Sequence, residues 1–140
     1  MNAGASGTNG GAQTAAARLI GIGPEREFTI ARQLVDTPVM WLCNIASLAE
    51  FCDRPLPSDP FILLLDGDVP SGELIDVLDQ FAALVSTRPM VLQITKPQIR
   101  LVVSIMQHGV VDVLPKPYSL ARLTMALDEI VAQPGGRRRP

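Results

Sequence analysis

Along the chain, short unbroken apolar runs alternate with stretches whose apolar residues recur every three or four positions. The runs cover residues 18–22, 39–42, 61–65, 90–94 and 110–114. None alternates cleanly between apolar and polar positions, which suits strands buried on both faces of a parallel sheet. Between them lie five helical patterns. Phe28, Ala31, Leu34 and Val35 mark the first, and Ile45, Leu48, Ala49 and Cys52 a shorter second. Leu74, Val77, Leu78, Phe81 and Leu84 mark the third, with Ser71 placed to cap it. Ile99, Val102, Val103 and Met106 mark the fourth, closed by Gly109 just past its end, and Leu120, Leu123, Leu127, Ile130 and Val131 the fifth.

Five strands alternating with five helices make a (βα)5 chain. Right-handed crossovers then require a three-layer α/β/α sandwich. The common five-strand solution is the flavodoxin-like parallel sheet of order 2-1-3-4-5. Residues 1–16, rich in Gly, Ala, Asn, Ser and Thr, read as a flexible leader, and residues 134–140 as a flexible tail. The folded domain is therefore expected at 17–133.

The 140 residues are 47% hydrophobic, enough for one cored domain and too apolar for a disordered chain. Twelve basic residues face fourteen acidic ones, so no basic field points to nucleic acid. Three of the basic residues are Arg137, Arg138 and Arg139, and without them nine face fourteen. Lys96 and Lys116 are the only lysines. Cys43 and Cys52 match no common zinc spacing, and the lone His108 is far from both, so the thiols read as free in a reducing cytoplasm. His108 itself reads as a helix C-terminal residue favoured by the dipole. No run is long enough to span a membrane, and the N-terminus has no signal-peptide pattern. A cytoplasmic protein is expected.

Ligands of such sheets bind beyond the carboxyl ends of the strands. There the sequence places Gly23, Pro24 and Glu25 after the first strand, Asp66, Gly67 and Asp68 after the third, Thr95 after the fourth, and Lys116 and Pro117 after the fifth. A carboxylate, a hydroxyl and an ammonium thus converge on one edge. An Asp in that position can act as nucleophile or metal ligand, and the Lys can pair with it or with a phosphoryl oxygen.

The segment Leu63-Leu64-Leu65-Asp66-Gly67-Asp68-Val69-Pro70 resembles the phospho-acceptor segment of response-regulator receiver domains of the chemotaxis-regulator type. The segment from Gly109 to Tyr118, GVVDVLPKPY, resembles the family's Lys-Pro stretch, and Thr95 falls at its Thr/Ser position. The likeness covers residues 17–132. It implies a non-enzymatic module of two-component phosphorelay signalling that regulates a partner by contact. Asp66 would accept a phosphoryl group from a histidine kinase or phosphotransfer protein, Thr95 would be the switch hydroxyl, and Lys116 the phosphate-contacting cation. Lys116–Pro117 would be a cis peptide, and Mg²⁺ would offset the phosphoryl charge.

The sequence departs from that family where the metal should bind. Gly23 and Pro24 stand in place of two adjacent acids and offer no side-chain oxygen. Asp66 would be the remaining metal ligand, with Glu25 or Asp68 as substitutes, so the resemblance makes Mg²⁺ doubtful. Val113 stands where the family carries an aromatic, and Tyr118 follows the Lys-Pro pair. The alternative is a pseudo-receiver that keeps Asp66 and Lys116 as an ion pair and signals without phosphate, as adaptor or dimerisation domain. A nucleotide-binding enzyme is the distant reading: Gly21-Ile22-Gly23 follows a strand, but Arg26 occupies the third glycine position and Pro24 lacks an N–H. Leu101 and Ile105 form a second apolar set on the fourth helix. With Val113 and Tyr118 they mark an expected partner or homodimer face formed by the fourth helix, fifth strand and fifth helix.

Overall fold

A computed structural model describes residues 17–34, 38–55, 58–68, 71–80, 82 and 88–133. The expected leader and tail, and Val35, Phe81 and Leu84, lie outside the described residues. Five parallel strands, β1 (Ala17–Ile22), β2 (Val39–Ile45), β3 (Phe61–Asp66), β4 (Met90–Thr95) and β5 (Asp112–Lys116), form one sheet of order 2-1-3-4-5. The α-helices are α1 (Leu48–Cys52), α2 (Ser71–Gln80), α3 (Ile99–Gln107) and α4 (Leu120–Ala132).

The three central strands carry the core because both of their faces are covered. On β3, Phe61, Leu63 and Leu65 point to one face, where they meet Phe51 of α1, Leu74 and Leu78 of α2, and Ile105 of α3. Ile62 and Leu64 point to the other, toward Phe28, Ala31 and Leu34 and the α4 residues Leu123, Ala126, Leu127 and Ile130. The two edge strands differ. β5 begins two residues later than its apolar run predicts and carries Pro115, which an edge position tolerates. β2 continues to Ile45, so Ile45 belongs to the strand and not to the helix that follows. Its pairing with β1 slips between Leu19 and Ile20, leaving Leu42 without a partner in the register and facing solvent.

The first predicted helix is two 3₁₀ turns, Glu25–Phe28 and Ala31–Gln33. Phe28, Ala31 and Leu34 are all buried and spaced by three, the period that stacks residues on one face of a 3₁₀ helix. Gly21 lets this segment sit close to the sheet. A Cβ there would lie 2.9 Å from both the Phe28 ring and the Trp41 ring, which pack against each other at 5.7 Å.

On α3 the expected core stripe of Ile99, Val102, Val103 and Met106 meets the core only at Val102. Ile105 is fully buried, and Leu101 and Val102 pack on the core, while Ile99, Val103 and Met106 face solvent. Val113 is buried in the same core, and Tyr118 is half-buried against the opposite cluster. Leu101, Ile105 and Val113 therefore do not form an outward docking face. The helix is apolar around most of its circumference, so periodicity alone supports either orientation. The consequence is measurable in urea. Ile105→Val should cost about 1 kcal/mol through lost packing, whereas Ile99→Val should stay within about 0.5 kcal/mol of wild type. The helix ends as expected, with His108 at the C-cap and Gly109 following at φ 100°. The His108 ring joins two helices, its Nδ1 2.7 Å from the Ser104 carbonyl and its Nε2 3.0 Å from Asp79 Oδ1 of α2.

Candidate functional site

Parallel register brings the chemistry together at the carboxyl edge of the sheet. Asp66 on β3 lies beside Gln93 on β4, and Thr95 on β4 lies beside Lys116 on β5. The Lys116 side chain is only 13% exposed and reaches back across the edge. Its ammonium donates to Asp66 Oδ1 at 2.6 Å and to Glu27 Oε1 at 2.8 Å, and it lies 2.7 Å from Asp68 Oδ2. An ammonium has three N–H donors, and here each has its own carboxylate.

Glu27 is the residue that sequence reasoning missed. It sits in the first 3₁₀ turn, next to buried Phe28, and its backbone carbonyl accepts a 2.8 Å hydrogen bond from Gln93 Nε2. Glu25, the expected substitute ligand, points elsewhere and pairs with Arg32 at 2.7 Å. An α-helix would have turned different residues to the site; the three-residue spacing of Phe28, Ala31 and Leu34 was the available signal. Gln93 was also missed. It is fully buried in an otherwise apolar strand run, and it donates to Asp66 Oδ1 at 3.1 Å and accepts from the Tyr118 hydroxyl. A glutamine inside such a run is the kind of residue that marks a buried network.

Thr95 meets Asp68, not Asp66. Its N–H donates to Asp68 Oδ1 and its hydroxyl to Asp68 Oδ2, both at 2.9 Å. The Lys116–Pro117 peptide is cis. Above the cluster opens a cavity of about 450 Å³ lined by Arg26, Glu27, Thr29, Asp68, Thr95 and Tyr118 among others.

The electrostatics follow from these contacts. Burial pulls the Lys116 ammonium down, but hydrogen bonds to Asp66, Asp68 and Glu27 outweigh it and hold the group above its ordinary value. Burial pushes the Tyr118 hydroxyl up to about 12, with the Lys116 charge opposing and those of Asp66 and Glu27 adding. Burial raises Asp68, yet the bonds from Lys116 and Thr95 prevail and hold its carboxyl below the usual value of 3.8. A depressed carboxylate stabilises the fold above its unfolded pKa and loses that contribution as pH falls through the folded one. Urea midpoints of wild type and Asp68→Asn should therefore differ by a constant amount from about pH 5 to 8 and converge below about pH 3.8.

The Mg²⁺ that the resemblance implies does not fit these residues. Gly23 has φ 142°, and a Cβ on it would lie 2.8 Å from the Asp66 Cβ. The chain is packed against Asp66 where an acidic side chain would have to enter. Pro24 offers no side-chain oxygen, and the Gly23 carbonyl accepts from Asn44 Nδ2 at 3.2 Å. The three nearby carboxylates converge on Lys116. Among the described residues, no three of His, Cys, Asp and Glu form a group that could hold a metal ion.

No family model matches the sequence, and no curated protein does. Solved structures do match, 29 chains in all. The non-phosphorylated HemR receiver domain of Leptospira biflexa aligns with a TM-score of 0.67 at 15% identity, over 89% of this chain and 98% of that one. This chain has the receiver fold. A response-regulator receiver protein of Pseudoalteromonas atlantica aligns at 0.65 and 15% identity, over 81% of this chain and 96% of that one. A protein of Sinorhizobium meliloti described as the pilus assembly protein CpaE2 aligns at 0.65 and 15% identity, over 80% and 98%. Against this receiver fold, the flavodoxin-like strand order stands as read from the sequence. Among the described residues, no helix is long and apolar enough to cross a membrane.

Proposed function

We propose that this chain is a receiver-like signalling module that acts by protein–protein contact without phosphorylation of Asp66. The observation that carries this reading is the saturation of Lys116 by Asp66, Asp68 and Glu27. In the phosphorylated reading, Lys116 would turn to a phosphoryl oxygen and a divalent cation would offset the added charge. Here a phosphoryl group would have to displace a carboxylate from the ammonium and enter beside three negative charges, with Gly23 and Pro24 supplying no metal ligand. The Asp66–Lys116 pair is then structural. It holds β3 to β5 and keeps the sheet edge in one arrangement. The partner is an effector protein or a second copy of the chain, and no histidine kinase is needed. The likeness to a chain described as a pilus assembly protein supports the idea that the fold also serves proteins not described as response regulators.

Magnesium titration tests the reading. A native-state site with a Kd of about 1 mM would add about 1.4 kcal/mol at about 10 mM Mg²⁺, or roughly 5 °C in melting temperature for a domain of this size. The expected result is no rise beyond an ionic-strength-matched NaCl control. A rise that is lost in Asp66→Asn would contradict the proposal.

A further inference from the structure

Asp68 lies two residues beyond Asp66, on the segment leaving β3, yet its carboxylate is held by groups from two other strands. Oδ1 accepts from the Thr95 N–H at 2.9 Å. Oδ2 accepts from the Thr95 hydroxyl at 2.9 Å and lies 2.7 Å from the Lys116 ammonium. A cation, a hydroxyl and a backbone N–H meeting on the two oxygens of one carboxylate form a cradle for an oxyanion. The chain's own carboxylate fills it.

A second observation lies one residue further on. Lys96 has φ 47°, the only positive φ outside glycine among the described residues. A lysine stays in that region only where its surroundings hold it there. Thr95, immediately before it, is fixed by Asp68 through both its N–H and its hydroxyl. Pro97 follows, and α3 begins at Ile99. This short loop thus sets where α3 starts, and α3 carries the solvent-facing Ile99, Val103 and Met106.

We propose that Asp68 is a built-in oxyanion ligand that clamps the β4–α3 loop and keeps α3 in one position with no external trigger. The inference rests on the phosphorylation-independent reading and names how that site is regulated: its anion position is permanently taken in cis. Because the ligand is tethered two residues from β3, its effective concentration is far above that of a free carboxylate or phosphate.

Amide hydrogen exchange of the full chain, read by NMR, tests the clamp. In Asp68→Ala the Thr95 amide should exchange about tenfold faster or more, while the Leu64 amide in β3 keeps its protection as a sign of an intact core. The resonances of Ile99 and Val103 should shift with it. Asp68→Asn, which can still accept from the Thr95 N–H but carries no charge for Lys116, should give a smaller rise and serves as the second variant if the alanine chain unfolds. Unchanged Thr95 exchange in either variant, with Leu64 still protected, would overturn the clamp. Phosphoryl uptake by the wild-type chain would instead overturn the phosphorylation-independent reading, and Thr95 exchange would still decide the clamp.

Discussion

Lys116→Met should lower the unfolding free energy by about 3 kcal/mol or more, the range seen when one partner of a buried ion pair is removed. The cause is less the lost attraction than what remains. The Asp66 side chain is 7% exposed and would be left charged, with its Lys partner gone and only Gln93 donating to Oδ1. Asp68 and Glu27 are more open to water and add less. A double-mutant cycle separates the terms. Adding Asp66→Asn to Lys116→Met should recover part of the loss, because the buried charge is then gone, and the two effects should fall short of additivity by 1 kcal/mol or more, about the coupling of contacting residues. Urea midpoints of the four chains measure this. Additive losses would mean that Lys116 and Asp66 do not depend on each other.

Gly23→Asp should destabilise the chain by about 3 kcal/mol and should not create a magnesium site. The backbone at φ 142° strains any side chain, and the new Cβ would lie 2.8 Å from that of Asp66. The added carboxylate would then stand beside three others that share one ammonium. Gly23→Ala isolates the steric part and should cost nearly as much, about 2 kcal/mol. Thermal melts with and without Mg²⁺ check both halves. A folded Gly23→Asp chain that gains stability from Mg²⁺ would show that the segment after β1 can relax away from Asp66.

The central strands were legible in the sequence because β1, β3 and β4 bury both faces, and a short unbroken apolar run has no other economical place in a domain of this size. Lys116 was legible because it follows the fifth strand and its Lys-Pro stretch resembles that of receiver domains, and Asp66 because it closes the most apolar run. Their meeting followed from strand order. Glu27 was not legible because Phe28, Ala31 and Leu34 fit a helical period of 3.6 nearly as well as the three-residue period at which they are buried. The outward face of α3 was hidden for a different reason. With apolar residues at 99, 101, 102, 103, 105 and 106, only tertiary packing decides which stripe meets the sheet. The place of Asp68 at the sheet edge was legible, but its role was not, since an acidic residue after a strand is common and its partners, Thr95 and Lys116, are 27 and 48 positions away.

Intact-mass spectrometry after incubation of the full chain with acetyl phosphate and Mg²⁺ tests most directly whether Lys116, held by three carboxylates, has replaced phosphorylation at this edge. The expected result is an unmodified mass for wild type and for Asp66→Asn alike. An adduct of about 80 Da on the wild-type chain that disappears in Asp66→Asn would contradict the account, because Asp66 would then be a working phosphoryl acceptor.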